Sequence, residues 1–264
     1  MSAVSTEPAV IEKAAPAWTR RPKIDQWICW WTIPIFYNLF GLIFVVLTRV
    51  MPPPRPDITP EQIVAFFETH SLTIRIGFGM LMFFIGFASV ANGLIALQIK
   101  RMSVSPVFAY AYIGSLVVGG IPGCLLPAFA FVAGAFRPDR DPQIMVMLYD
   151  WCLLSFVGSL GCFCTQNMVL ALAIFLDRNE ILPKWLAYIS IWMIVTELLA
   201  GPVFIFKSGP LAWNGSISFY VGTAVFVVWE FAIIRLLYVA IKNQSPADQI
   251  QDRGRVWRTR KPPR

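Results

Sequence analysis

The composition of this 264-residue chain excludes an ordinary soluble domain, because 57% of its residues are hydrophobic and only 14% are charged. A soluble domain is nearer half apolar and a quarter charged, whereas the mean hydropathy here is +0.63. The net charge of +7 comes largely from the C-terminal tail, so it says little about a substrate. We therefore predict an integral membrane protein without room for a soluble domain of roughly 100 residues.

Six apolar stretches are each long enough to cross a bilayer, which takes roughly 20 residues of helix. They predict an all-α bundle of six transmembrane helices in a membrane domain covering residues 27–242. A polar tail, residues 1–26, precedes this domain. A basic tail, residues 243–264, follows it and is predicted to be disordered. The predicted spans are 28–47, 72–99, 107–132, 143–176, 185–206 and 217–241.

One further short helix is predicted between the first two spans. The proline-rich segment 51–56 favours an extended connector. Thr59, Pro60 and Glu61 then offer an N-cap, a proline at the first helical position and an acid in the first turn. Apolar residues from Ile63 to His70 recur at helical spacing. We predict that this helix ends near His70 and lies flat on the outer interface or over the bundle.

The basic residues predict the orientation, because Lys and Arg are enriched in cytoplasmic loops. With six spans, 15 of them fall on the side of both termini and 5 on the opposite side. We therefore predict that both termini are cytoplasmic and that the protein lies in the inner (cytoplasmic) membrane of a bacterium. The side of the termini is called the inner side below, and the opposite side the outer side.

Polar side chains within the spans are the candidate functional residues, since a charge at bilayer depth costs several kcal/mol unless it is paired, protonated or hydrated. Glu197 and Glu230 fall at mid-depth in spans 5 and 6, and Asn38 falls at the same depth in span 1. Near the outer boundary, Arg75 and Asp150 are placed to form an ion pair. The remaining candidates lie in the inner half of the membrane: Asn92, Gln166, Asn167 and Arg235.

Three interpretations of Glu197 and Glu230 stay open. In the structural one, each carboxyl is protonated or hydrogen-bonded to a neighbouring helix and fixes the packing. In the transport one, the two acids line a polar path and one of them takes up and releases a proton, which suits a carboxyl whose pKa is raised by burial and by a second carboxylate. In the catalytic one, a carboxyl acts as a general acid or base.

A helix break is predicted in span 3, where three glycines and two prolines weaken the helix. Broken helices at membrane depth occur where they are buried in protein or line a cavity, and transporters bind substrates at such breaks. A kink that fits neighbouring helices and a cavity wall are the two alternatives. The residues concerned are Gly119, Gly120, Pro122, Gly123 and Pro127.

A stripe of small residues runs along span 2, where Gly79, Gly86 and Gly93 recur every seven residues. Small residues at such spacing let two helix backbones approach closely. The favoured interpretation is packing inside the bundle, and the alternative is the face of a dimer.

Motifs of familiar enzyme classes are absent from the sequence. The single histidine, His70, excludes sites that need several histidines, such as di-iron hydroxylase and paired-histidine haem sites. We predict no catalytic residue, no metal site and no cofactor. The sequence favours a non-enzymatic accessory or structural membrane protein. The alternatives are a small proton-coupled transporter or ligand-binding channel and, less favoured, a membrane-embedded enzyme.

The basic C-terminal tail is a candidate for binding anionic lipid head groups, at ~1 kcal/mol per charge. Its basic charge is equally explained as an orientation signal. The other predicted partners are the bilayer itself and a membrane protein or a second copy of the chain, whereas nucleic-acid binding is not predicted for so short a tethered tail. The lipid candidates are Arg253, Arg255, Arg258, Arg260 and Lys261.

The order of features resembles that of uncharacterised bacterial six-span membrane proteins grouped as a domain of unknown function. The resemblance rests on the short helix after span 1, on the sequence TIRIG at 73–77 and on ILPKW at 181–185. The shared layout covers most of residues 25–243. It implies a six-span fold and carries no mechanism.

Overall fold

The computed structural model describes residues 23–120, 123 and 125–244 of the chain. Within these ranges the regular secondary structure is helical, without a β-strand. The α-helices are α1 (Ile24–Val46), α2 (Pro60–Phe84), α3 (Ala88–Arg101), α4 (Val107–Gly120), α5 (Leu126–Phe136), α6 (Pro142–Gly158), α7 (Leu160–Leu176), α8 (Lys184–Ala200) and α9 (Gly222–Lys242).

Five segments of the described chain are long and apolar enough to cross a membrane. They confirm the prediction of an all-helical chain compatible with a multi-pass membrane protein. The predicted third span corresponds to two shorter apolar helices, α4 with 14 residues and α5 with 11, so the count of six stays a prediction. The five segments are Ile24–Val46, Pro60–Arg101, Pro142–Leu176, Lys184–Phe204 and Ser216–Lys242.

The separate interfacial helix predicted at residues 60–70 is wrong, because these residues form the first turns of α2. Its start follows the prediction: the Thr59 hydroxyl accepts a hydrogen bond from the Gln62 backbone N–H, and the Gln62 side chain accepts one from the Thr59 N–H. Neither glycine nor proline occurs between Pro60 and Gly77 to end the helix. The helix therefore continues past His70 into the predicted second span.

The exposed face of α2 shows where the apolar zone of the bundle begins. Glu61 and Glu68 are exposed near its start, whereas Leu72, Ile76 and Phe83 are exposed further along. A helix surface that meets lipid is apolar. Arg75 is also exposed, between Leu72 and Ile76. The outer boundary of the apolar zone therefore lies in the stretch from Glu68 to Ile76, and the first turns of α2 stand outside it.

Three of the predicted spans are interrupted at a similar depth. A 3-10 turn, Ile85–Phe87, joins α2 to α3, and Ser159 separates α6 from α7. In the third span, α4 ends at Gly120 and α5 begins at Leu126. At about 1.5 Å per residue, all three interruptions lie roughly 20–26 Å from the inner ends of their segments.

Two hydrophobic cores lie on either side of this level. The inner core is built by α1, α3, α4, α7, α8 and α9, and it buries side chains such as Leu170 and Leu237. The outer core is built by α2, α5 and α6 with the end of α1, and it buries Phe67, Phe131 and Trp213. The molecule is thus a wide inner bundle beneath a narrower outer one.

The connecting loops on both sides are tied to the bundle by side-chain hydrogen bonds. On the outer side, the Tyr149 hydroxyl donates to the Arg55 carbonyl at 2.9 Å, and the Trp213 indole donates to the Pro54 carbonyl at 2.7 Å. These bonds hold the α1–α2 connector against α6 and the α8–α9 connector.

On the inner side, the buried Asp177 carboxylate joins the α3–α4 loop to the α7–α8 loop. It accepts hydrogen bonds from the backbone N–H and the hydroxyl of Ser103 at 2.8 and 3.2 Å. It also accepts from the backbone N–H groups of Asn179 and Ile181, both at 3.0 Å. Because Asp177 is only 5% exposed, these four bonds satisfy a carboxylate that would otherwise be costly to bury.

Candidate functional site

The two glutamates lie near the outer end of the inner bundle, at about the depth of the helix interruptions, and each is partly exposed. Glu197 lies 13 residues after Lys184, where α8 begins. Glu230 lies 12 residues before Lys242, where α9 ends. These positions are roughly 18–20 Å from the inner helix ends, within a hydrocarbon layer of about 30 Å.

Glu197 faces the α7–α8 interface. One turn before it, the Ile194 carbonyl accepts a weak hydrogen bond from the Cys164 thiol of α7 at 3.9 Å. The Glu197 carboxylate is also within electrostatic range of this thiol. The Cys164 thiol of the adjoining helix is therefore one polar group near Glu197.

Glu230 faces the α9–α1 interface. One turn before it, the Phe226 ring packs against the Tyr37 ring with centroids 6.3 Å apart, and Glu230 is within electrostatic range of Tyr37. The two glutamates thus have different helices as neighbours. Among the described residues, neither carboxylate accepts a hydrogen bond or forms an ion pair within 4 Å.

Asn92 and Gln166 form a buried polar link between α3 and α7. The Gln166 amide donates to the Asn92 side-chain oxygen at 2.6 Å, and the Asn92 amide donates to the Ala88 carbonyl at 2.8 Å. Asn167, the next residue on α7, donates instead to the Phe163 carbonyl of its own helix at 3.1 Å. The sequence placed these amides in the inner half of the membrane, and the fold joins two of them.

The other mid-membrane candidates lie apart from the glutamates. Asn38 is exposed and donates to the Pro34 carbonyl of its own helix at 2.7 Å. Arg235 is exposed, with its guanidinium 5.6 Å from the centre of the Tyr238 ring. Both side chains therefore find local partners on their own helices.

Arg75 and Asp150 do not form the predicted ion pair. The Arg75 guanidinium lies 5.2 Å from the centre of the Phe136 ring on α5. Asp150 is instead within electrostatic range of Lys207 on the outer loop. Among the residues that the structure describes, the ion pair with its charged groups within 4 Å joins Arg55 to Asp57.

Two tryptophans form interhelix bonds that the sequence reasoning missed. The Trp30 indole donates to the Ile234 carbonyl of α9 at 2.9 Å, and the Trp229 indole donates to the Ser190 hydroxyl of α8 at 3.1 Å. Trp30 fits the pattern of an interfacial aromatic residue by position alone. The available signal was the indole N–H, which needs an acceptor when it is buried.

The predicted break residues lie where α4 and α5 meet the junction of α6 and α7. Gly119, Gly123 and Pro127 are buried, and Gly120 is the last residue of α4. A Cβ atom on Gly123 would lie 2.6 Å from the Ser159 hydroxyl oxygen. This glycine therefore permits a close approach between neighbouring helices. Pro122 lies outside the described residues.

The glycine stripe of span 2 does not pack inside the bundle, so that interpretation is wrong. A Cβ atom on Gly79, Gly86 or Gly93 would meet nothing within 4 Å. By contrast, a Cβ atom on Gly77 would lie 3.0 Å from the backbone of Leu47 and Thr48. The close approach to the chain just after α1 falls on a glycine outside the heptad pattern.

A polar cavity of about 380 Å³ opens between the α1–α2 connector and the α8–α9 connector, away from both glutamates. The Arg55 guanidinium donates to both carboxylate oxygens of Asp57, at 2.9 and 2.7 Å. These hydrogen bonds lower the pKa of Asp57 below its ordinary value. The side chains and glycine around the opening include Arg55, Asp57, Lys207, Gly209, Asn214 and Ser216.

Among the described residues, chemistry-bearing side chains do not gather into a recognisable centre. In the part of the chain that the structure describes, no three His, Cys, Asp or Glu residues are grouped so that they could hold a metal ion. The basic residues 253–261, which the sequence assigns to lipid head groups, lie outside the described residues.

The chain has no match among known protein families, curated proteins or solved structures. Its resemblance in layout to six-span membrane proteins therefore remains a prediction.

Proposed function

We propose that this chain is a non-enzymatic accessory or structural protein of the membrane, which acts through contacts with lipid and with other membrane proteins. The observation that supports this proposal is how the intramembrane polar groups are used. Asn92 and Gln166 bond to each other across two helices, and Trp30 and Trp229 bond α1 and α8 to α9. Polar bonds of this kind hold membrane helices together.

The positions of Glu197 and Glu230 argue against a proton path shared by the two acids. Their neighbours are Cys164 of α7 and Tyr37 of α1, respectively. A path that passes protons between two acids requires both carboxyl groups to line the same water-accessible surface. The outer cavity, which is lined by the connecting loops, does not include either glutamate.

A proton-coupled transporter or channel is the second candidate, and one observation favours it. Neither glutamate accepts a hydrogen bond from the described residues. A carboxyl without a fixed partner at membrane depth is free to exchange a proton.

Proton flux in reconstituted liposomes separates the two candidates. The purified protein is placed in vesicles that contain a pH-sensitive dye, and a pH gradient or a membrane potential is imposed. The accessory role predicts the same flux for the wild type, Glu197→Gln, Glu230→Gln and empty vesicles. The exposed Glu180→Gln is the matched control. A flux that either intramembrane variant abolishes and Glu180→Gln retains contradicts the accessory role.

A further inference from the structure

The inner ends of α1, α3 and α9 converge through two cross-links. The Lys23 ammonium, just before α1, donates to the Ile241 and Lys242 carbonyls of α9 at 2.8 and 3.1 Å. The Arg101 guanidinium, at the end of α3, donates to the Ala240 carbonyl of α9 at 3.2 Å. These bonds satisfy carbonyl groups that a helix C-terminus leaves without intrahelical partners.

Three buried glutamines lie near this convergence, each three residues along the chain from a residue of the cross-links. Gln26 follows Lys23 on α1, Gln98 precedes Arg101 on α3, and Gln244 follows Ile241 at the end of α9. They are 9%, 0% and 6% exposed, respectively.

Each glutamine has one buried amide atom without a hydrogen-bond partner. These atoms are the acceptors Gln26 Oε1 and Gln244 Oε1 and the donor Gln98 Nε2. The Gln98 oxygen is occupied by the Arg101 guanidinium, so rotating this amide would place two donors against each other. A buried polar atom without a partner costs roughly 1–3 kcal/mol, and buried polar groups in proteins are almost always bonded to protein or to ordered water.

The chemistry of the three atoms selects their partner. Two acceptors and one donor need a molecule that both donates and accepts hydrogen bonds within a small space. A cation is disfavoured by the Lys23 ammonium and the Arg101 guanidinium, and both of those side chains are already directed at helix carbonyls. Water meets the requirement, and a buried water typically forms about three hydrogen bonds of this kind.

We propose that the inner ends of α1, α3 and α9 enclose a water-filled vestibule, in which ordered water molecules bind Gln26, Gln98 and Gln244. The vestibule lies near the inner helix ends, well below the level of Glu197 and Glu230. It stands independently of the proposed function, since a structural bundle and a transporter can both contain it.

Thiol reactivity tests the vestibule. Cysteine is introduced at positions 26, 98 and 244, one at a time, in a chain whose native cysteines are replaced. A small charged methanethiosulfonate is then added from the inner side. The matched controls are Ile99→Cys and Lys100→Cys, at the two positions that follow Gln98. The native Ile99 side chain is 1% exposed, and that of Lys100 is exposed.

Water access makes a thiol ionisable and therefore reactive, whereas an apolar surrounding makes it inert. The vestibule predicts rates within about tenfold of Lys100→Cys and at least about 100-fold above Ile99→Cys. Rates equal to that of Ile99→Cys at all three positions overturn it. A second experiment deletes residues 246–264. If water fills the site, the labelling rates stay unchanged. A tenfold rise in these rates would show that the tail fills the site instead, and it would also overturn the proposal.

The variant Gln26→Met keeps the proposal testable without chemical labelling. Methionine has nearly the same shape as glutamine but lacks its polar atoms. In a hydrated site the substitution removes bonds to water, so the unfolding temperature stays the same or falls. In a dry site it removes an unsatisfied polar group, so a rise of several degrees overturns the proposal.

Discussion

The inner and outer halves of this bundle differ in how much they rely on clustered aromatic rings to join their helices. In the inner half, amides and indoles bond one helix to another, as in the pair Asn92 and Gln166. In the outer half, aromatic rings of three helices also pack into one cluster: the centroids of Phe67 and Phe131 lie 5.1 Å apart, and those of Phe131 and Tyr149 lie 6.0 Å apart. One interhelix hydrogen bond accompanies this cluster, from the Ser71 hydroxyl of α2 to the Ala135 carbonyl of α5 at 2.6 Å.

The surroundings of the two halves explain this difference. Inside a bilayer, apolar side chains gain little by leaving lipid for protein, so polar bonds and close packing join the helices. The outer half reaches beyond the apolar zone, because α2 exposes Glu61 and Glu68 there. Water is then present, and burying an aromatic ring such as Phe67 stabilises the fold through the hydrophobic effect.

The largest predicted effect falls on the outer core. Phe131 is fully buried, whereas Phe129 on the same helix is 60% exposed. Phe131→Ala should lower the free energy of unfolding by about 3–5 kcal/mol, because it leaves a cavity among the packed rings. Phe129→Ala is the matched control and should have little effect. Unfolding by detergent titration measures both, and equal losses would contradict the outer core as described.

The next largest effect falls on the inner loops. Asp177→Ala should lower the free energy of unfolding by about 2–4 kcal/mol, because it removes the four hydrogen bonds that join the two loops and leaves three backbone N–H groups without this acceptor. Glu180→Ala changes an exposed acid of the same loop and should be nearly neutral. If the two variants unfold alike, Asp177 does not hold the loops together.

A smaller effect distinguishes two glycines of α2. Gly77→Ala should destabilise the protein by about 1–3 kcal/mol, since the new methyl group would press on the backbone of Leu47 and Thr48. Gly79→Ala should cause no loss, because its methyl group meets open space. The same unfolding titration compares the two variants. A greater loss for Gly79→Ala would instead place the close approach on the heptad stripe.

The smallest effect concerns pH on the outer surface. The pKa of Asp57 is lowered because Arg55 donates hydrogen bonds to it. A carboxyl with a lowered folded-state pKa stabilises the protein above its unfolded pKa, and this contribution is lost as the pH falls through the folded value. We expect the protein to be slightly less stable below about pH 4. Carboxyl NMR should show that Arg55→Gln raises the pKa of Asp57, and an unchanged pKa would exclude the pairing.

The sequence predicts the helical membrane fold well, because long apolar runs have few other solutions in a bilayer. It also predicts the cap at Thr59. It misplaces the end of that helix, since helical spacing from Ile63 to His70 does not show whether the helix continues. The depth of Asn92 and Gln166 follows from counting residues along each span, but their pairing depends on helix rotation and contact, which a single sequence does not contain.

The glycine stripe was misread for a similar reason. Spacing alone identifies Gly79, Gly86 and Gly93 as one stripe but does not tell whether it faces the bundle or its surroundings. The structure leaves this stripe uncovered. Gly77, which is not part of the stripe, makes the close contact with the chain just after α1.

The central claim is that polar side chains inside the bundle serve to bind helix to helix. A double-mutant cycle on Asn92→Ala and Gln166→Ala tests it most directly, with unfolding free energies measured for the wild type, both single variants and the double variant. A cycle that pairs Asn38→Ala with Gln166→Ala is the control, since Asn38 bonds within its own helix.

The account predicts a coupling energy of about 0.6–1.7 kcal/mol between Asn92 and Gln166 and none between Asn38 and Gln166. Equal coupling in the two cycles, or none in either, would contradict it.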